Sequence, residues 1–227
     1  MLPFGMENDF YDGTYKAMFY DKGKATLATK FLHKSLEKLP NRSKQAFPIT
    51  LEIGGGEGLH YEYVQSKFQK YILTDIRSSE LAPKAKQAMV EGRLEFSIEN
   101  AEALSIADSF VDRTIFACVL HHLSDPEKAL IESRRVTKPG GVISIYLPCD
   151  PGLVYRFLRK IFTHKVARDL NIDYELKNVR EHINHYYQLE KLINEVFKND
   201  VKKIKKFPVF FFSYDFNIFT ILHITKS

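Results

Sequence analysis

The residues with the clearest chemical purpose lie in TLEIGGGEGLHYEYV, positions 50–64, where a short apolar run meets four glycines within five residues. Glycines at such a turn accept positive φ and let backbone amides approach a ligand, whether a dinucleotide, a nucleotide or another molecule. Spacing disfavours two of these. A dinucleotide turn carries a glycine at the sixth position, where this chain has Leu59, and the Gly-Lys-Ser/Thr of a phosphate-binding loop does not follow. The pattern present is Glu52, Gly54, Gly56 and Gly58 at alternate positions. An acid two residues ahead of the first of these glycines suits a positively charged ligand and not a pyrophosphate. Asp75 adds a carboxylate about 20 residues on, where the next strand of a βαβ unit brings an acid within reach of both ribose hydroxyls. The set reads as a site for a cationic nucleoside without phosphates; a purely structural glycine turn with a strand-ending aspartate is the alternative.

Such residues need a strand that ends at the turn and a helix after it. ITLEI (49–53), KYILTDI (70–76), RLEFSI (93–98), DRTIFACV (112–119) and GVISIYL (141–147) read as strands, with helices predicted over 58–68, 79–90 and 126–136 between them. Asp125 and Pro126 form an N-cap and first helical position, and TKPGG (137–141) reads as a turn. Leu27, Phe31, Leu32, Leu36 and Leu39 recur at helical spacing ahead of the first strand, in a helix that should stop near Pro40. The alternation implies an α/β doubly wound fold, a mostly parallel sheet covered on both faces. Beyond position 148 the rhythm changes: 148–187 read as a helical insertion after the fifth strand, 187–197 as a helix, and the remainder as an antiparallel hairpin. One domain over 1–227 is expected, with an N-terminal segment (1–47), a ligand-binding core (48–147), the insertion (148–187) and a C-terminal helix and hairpin (188–227).

Composition narrows the class. A chain of 227 residues, 44% hydrophobic, suits a single domain with a sizeable core. Its net charge of +5 comes from 33 basic and 28 acidic residues that are well interspersed, which falls short of a nucleic-acid footprint and supports only a modest preference for anionic partners. Cys118 and Cys149 lack metal or CxxC spacing, and MLPFGMENDF lacks the layout of a signal peptide; together these predict a reduced, cytoplasmic compartment. The apolar FPVFFFSYDFNIFTIL (207–222) is shorter than a bilayer span and broken by Asp215 and Asn217, so buried strands are expected there and no membrane span.

Taken in order, EIGGGEG, Asp75 and ENAEALSIADSFVDRTIFACVLHHLSDPEKALIESRRVTKPGGVISI resemble the class I S-adenosylmethionine-dependent methyltransferases, in particular the small-molecule branch (methyltransferase domain 11-like) that includes quinone-biosynthesis methyltransferases. The resemblance implies a Rossmann-like, seven-stranded sheet with an antiparallel last strand and S-adenosyl-L-methionine as cofactor. It implies Gly54, Gly56 and Gly58 beside the methionine and adenosine portions, Glu52 near the ammonium, Asp75 on the ribose hydroxyls and Ile76 against the adenine. Asn100 stands where the family's Gly-Asp-Ala-Glu has its aspartate, so an amide meets the adenine amino group, with Ala101 adding a backbone contact. Ala117 ends the fourth strand beside the cofactor, and the following VLHHL occupies the region of the sulfonium.

Because the sulfonium already activates the methyl group, the protein has mainly to align an acceptor and exclude water. His121 and His122 are candidates for the base that removes a hydroxyl proton; stacking on the cofactor or bonding a carbonyl is the alternative for each. No Asn/Asp-Pro-Pro-Tyr/Phe pattern marks a nucleobase or glutamine amide as acceptor. Acceptor recognition is expected in the insertion, from Tyr155 and Arg159 on one helix face, Arg156 beside them, Arg180, and His182 with His185 sharing a face if that stretch is helical. Arginine suits carboxylate or phosphate, which points to a small anionic or sugar-like acceptor; surface charges and core histidines are the plain alternative. His182 and His185 lack a third ligand of compatible spacing nearby, so no metal is expected. Tyr11, Tyr15, Phe19 and Tyr20 predict an aromatic lid or a cover for the sheet edge. The leading expectation is O-methylation of a sugar or glycan precursor, with C-methylation of a quinone-like acceptor, or a catalytically silent cofactor-binding subunit, as alternatives.

Overall fold

A computed structural model describes residues 24–39, 46–169, 173–209 and 213–227. The predicted lid residues Tyr11, Tyr15, Phe19 and Tyr20 lie outside the described residues. The strands are β1 (Ile49–Ile53), β2 (Lys70–Asp75), β3 (Leu94–Ile98), β4 (Val111–Ala117), β5 (Thr137–Pro148), β6 (Val201–Phe207) and β7 (Phe219–Thr225). They form a seven-stranded sheet in the order β3-β2-β1-β4-β5-β7-β6. Pairing is parallel from β3 through to β5, and β7 runs antiparallel to both of its neighbours. The helices are α1 (Lys24–Leu36), α2 (Pro83–Val90), α3 (Pro126–Val136), α4 (Leu153–Asp169), α5 (Tyr174–Glu181) and α6 (Tyr186–Val196).

Alternation along the strands splits the core into two layers. In β2, Tyr71 and Leu73 face one layer and Ile72 the other. α3 contributes Ala129, Leu130 and Val136, and α6 contributes Tyr186, Leu189 and Ile193, to a layer over Ile53, Phe116, Ile145 and Leu222. α1 and α2 cover the opposite face through Leu36, Ala85 and Ala88. Asp125 caps α3 as expected, its side chain accepting from the Lys128 N–H at 3.1 Å.

The layer beneath α1 also holds a polar network. Arg113 of β4, fully buried, donates to Glu37 at 2.7 Å and 3.2 Å and to Ser144 at 3.2 Å. Glu37 further contacts the His60 ring at 3.1 Å, and His223 of β7 meets Ser144 at 3.1 Å. Burial works against the Glu37 charge, but Arg113 and His60 outweigh it and hold its carboxyl well below the usual range.

Two elements differ from the sequence expectation. The helix predicted over 58–68 is only a 3₁₀ turn, Leu59–Tyr63. Gly58 opens it in the left-handed region with no capping side chain, and the Gln65 N–H is taken by the Glu37 carboxylate at 2.9 Å. TKPGG belongs to β5: Thr137 pairs with Val111 and Val142 with Arg113, so the residues between them bulge out of the ladder, Gly140 having φ 76°. The hairpin expected at the end of the chain is present: β6 ends at Phe207, β7 begins at Phe219, and the two pair antiparallel. Among the described residues no helix is long and apolar enough to cross a membrane.

Candidate active site

The carboxyl ends of β1, β2 and β4 meet around the glycine turn. Gly54, Gly56 and Gly58 have φ of 66°, 54° and 74°, conformations in which a side chain is strained. A Cβ on Gly54 would fall 2.3 Å from Val119 Cγ2, and one on Gly58 would fall 2.8 Å from Leu73 Cδ2. Gly56 differs: its nearest neighbour would be Asp75 Oδ2 at 4.0 Å, so it leaves space above the turn. Its N–H donates to Asp75 Oδ2 at 2.9 Å, and the Arg77 N–H donates to Oδ1 at 3.1 Å. The Asp75 carboxylate is thereby fixed at the end of β2, half-buried, with lone pairs left for a diol. Ile76 (48% exposed) and Ile98 (63%), following Asp75 and ending the adjacent strand, offer uncovered apolar surface.

Glu52, the acid ahead of the glycines, is buried. It is 1% exposed, accepts from the Tyr71 hydroxyl at 2.8 Å, and lies beneath the turn, where a Cβ on Gly55 would approach its Cδ to 2.7 Å. Burial pushes its carboxyl pKa up, against the pull of His60 and Tyr71. Asn100 is exposed beyond β3, and its Oδ1 accepts from the Glu102 N–H at 3.0 Å, which leaves its amide NH2 for a ligand. Ala101 is buried beside it, and Ala117 is half-buried at the end of β4. Cys118 follows in the left-handed region at φ 73°, its thiol pushed up to about 12 by burial and so kept protonated. These groups fit a cationic nucleoside: open space over Gly56, an oriented acid for a ribose, and apolar surface for a base.

Beyond Val119, the 3₁₀ turn Leu120–His122 carries both candidate bases. Their rings pack with that of His182: centroids are 4.0 Å apart for His121 and His122, 4.3 Å for His121 and His182, and 5.1 Å for His122 and His182. The His122 Nδ1 bonds the Glu181 carbonyl at 2.9 Å, and the His182 Nδ1 bonds Asp150 Oδ2 at 2.7 Å. His121 is 2% exposed and its Nδ1 has no hydrogen-bond partner. Burial, then the neighbouring imidazoles, drives His121 well below the usual histidine range. Burial, His182 and Arg77 lower His122 to about 3 despite its carbonyl bond. Both are therefore neutral at physiological pH.

The insertion builds the other wall, with corrections to the residues predicted there. Tyr155 and Arg159 share a face of α4 as expected, the guanidinium 5.5 Å from the ring centroid, but Arg159 also donates to Asp150 at 3.1 Å. Arg156, Arg180 and His185 are exposed. His182 and His185 do not share a helix face, because α5 ends at Glu181 and α6 begins at Tyr186. The break is held by Asn184, whose side chain donates to the carbonyls of Leu120 (3.3 Å) and Leu123 (2.6 Å) and whose N–H donates to the His121 carbonyl at 3.2 Å.

Asp150 and Asn184 are the residues that sequence reasoning did not single out. Asp150 is 6% exposed and gathers Arg159, His182 and Asn178. Its only advance signal was an acid between the fifth strand and an amphipathic helix; Asn184 gave none.

Residues 51–145 match a sequence family described as a methyltransferase domain. The ubiquinone/menaquinone biosynthesis C-methyltransferase UbiE of Acidiphilium cryptum is 35% identical over 95 residues, which are 40% of this chain and 38% of that protein. Its counterpart from Francisella tularensis subsp. novicida is 34% identical over 151 residues, 58% of this chain and 59% of that protein. The chain thus matches only part of the length of these curated relatives. Among solved structures, a protein of Pyrococcus horikoshii OT3 superposes with a TM-score of 0.63 at 17% identity, covering 98% of this chain and all (100%) of that one. An S-adenosylmethionine-dependent methyltransferase of Thermotoga maritima superposes with a TM-score of 0.59 at 15% identity, covering 97% and 99%. Residues 51–145 are thus similar to a methyltransferase domain, and the chain shares its fold with a solved S-adenosylmethionine-dependent methyltransferase.

Proposed function

We propose that this protein transfers the methyl group of S-adenosylmethionine to a small acceptor bearing an acidic hydroxyl, of phenol or enol type, at that oxygen or at the adjoining carbon. The observation that carries the reading is the pair of half-sites: a fixed Asp75 over an open Gly56 on one side of Val119, and three clustered imidazoles on the other. Bound S-adenosylmethionine supplies a methyl group already activated by its sulfonium. Asp75 holds the ribose hydroxyls, Ile76 packs on the adenine, and the Asn100 amide donates to a ring nitrogen. The turn would hold the methionine end through its backbone, with Glu52 supporting that turn from below. The histidine cluster would receive the acceptor and take up the proton of its hydroxyl on an imidazole nitrogen, beside the methyl group that the bound cofactor would supply.

Burial makes His121 and His122 weak bases, so a phenol or enol, whose proton is the more acidic, is an easier acceptor for them than a sugar alcohol. Tyr155 and Arg159 are engaged with one another, and Arg159 with Asp150, which weakens their case as receptors for an anionic sugar. The curated relatives named as C-methyltransferases of quinone biosynthesis support the same direction. Incubating the full chain with S-adenosylmethionine and separate panels of hydroquinones, simple phenols and nucleotide sugars, with mass detection of methylated product, tests the assignment. Product from the phenolic panels is expected. Product from nucleotide sugars alone would overturn the acceptor class, and cofactor binding without any product would favour a silent subunit.

A further inference from the structure

His182 is 60 residues from the adjacent pair His121 and His122, yet one nitrogen of each of the three lies within 4.8 Å of the other two. We propose that these three residues form a binding site for a divalent first-row transition ion such as zinc. Imidazole nitrogens suit these metals, and three protein ligands with an open fourth position are the arrangement of catalytic rather than structural zinc sites.

Three independent features support the assignment. First, the nitrogens that are not available are accounted for: the His122 Nδ1 bonds the Glu181 carbonyl and the His182 Nδ1 bonds Asp150. Metal-bound histidines are oriented in this way, through a carbonyl or a carboxylate on the second nitrogen, with Nε2 left for the ion. Second, the His121 Nδ1 is buried with no partner, a cost that a structure rarely carries without purpose. Third, the rings are held by two different elements that Asn184 fastens together, so the set is built by the fold and is not a chance pair on one helix. Tetrahedral zinc with ligands at 2.0–2.1 Å separates its nitrogens by about 3.4 Å, so ligation must draw the rings together by about 1 Å. Side-chain torsions at His182 and His121 can supply that. Asp150 bonds His182 and is shared with Arg159, and the Arg77 charge acts on His122, so the donors to the ion are three neutral imidazoles, which suit a transition metal over calcium or magnesium.

The consequence for catalysis rests on the methyltransferase reading. A hydroxyl oxygen in the open position would ionise at lower pH, which meets the need for a proton to leave in a cluster of weak bases. Metal binding itself does not depend on that reading. The test is titration of the full chain, without a histidine tag, with cobalt(II) chloride, following the visible absorption of the bound ion. A band saturating at one equivalent is expected in the wild type and in His185→Ala, and its loss in His122→Ala and in His182→Ala, with circular dichroism showing each variant folded. No band in the wild type, or an undiminished band in both variants, would overturn the site. If cobalt binds but S-adenosylhomocysteine does not, the functional reading fails and the metal site stands; the converse result removes only the metal.

Discussion

Asp75 commits one oxygen to the Gly56 N–H and the other to the Arg77 N–H, which makes its orientation a property of the backbone. A carboxylate fixed in this way would lose little freedom on accepting the two hydroxyls of a ribose, as proposed above. Charged hydrogen bonds of this kind contribute about 1.5–3 kcal/mol. Asp75→Ala should therefore weaken S-adenosylmethionine binding roughly 10- to 100-fold in calorimetry, and wild-type affinity in the variant would remove Asp75 from the site. Glu52 shows where reading residues in line reaches its limit. The spacing of Glu52 from the glycines was legible, but whether its side chain rises toward a ligand or turns under the strand depends on Tyr71, a neighbour 19 positions away that offers it a hydroxyl.

At the scale of elements, the acceptor side depends on how the break between α5 and α6 is fastened to the turn after β4. Asn184→Ala removes both side-chain bonds to that turn and leaves two carbonyls without their donor. A loss of about 1–3 kcal/mol in urea unfolding is expected, with cofactor affinity nearly unchanged because the glycine turn is untouched. Equal loss of cofactor affinity would show that the two half-sites are not separable. The β-strands and α3 were legible because hydrophobic alternation and the Asp125 cap are local signals. The joining of His121 and His122 with His182 was not, since residues about 60 apart meet only through tertiary packing. The 58–68 segment failed for a related reason: its apolar spacing suits a helix, but Glu37 of a distant element takes the Gln65 N–H that the helix needed.

For the whole molecule, buried neutral histidines set the response to acid. Burial, followed by Arg113, lowers His223 to about 4 against an ordinary 6.5. Its folded pKa lies below its unfolded one, so the unfolded chain takes up the proton first. Stability from this residue is full above about 6.5 and falls as the pH drops toward 4. By pH 5 the cost is about 2 kcal/mol from His223 alone, and His33, His121 and His122 act in the same direction. Urea midpoints measured from pH 7 to pH 5 should fall steadily, and His223→Gln should flatten part of the slope. A midpoint constant over that range would contradict the burial of these groups.

The position of β7 between β5 and β6 also imposes an order in time. β6 is synthesised before β7 but pairs with no strand except β7, whereas β1 to β5 can pair with one another as they emerge. Until residues 219–225 leave the ribosome, the lysine-bearing β6 has no ladder to join, and β5 presents an open edge. The nascent chain therefore passes through an interval with an unpaired strand edge, a form prone to association with other chains. The last described strand decides when that interval ends.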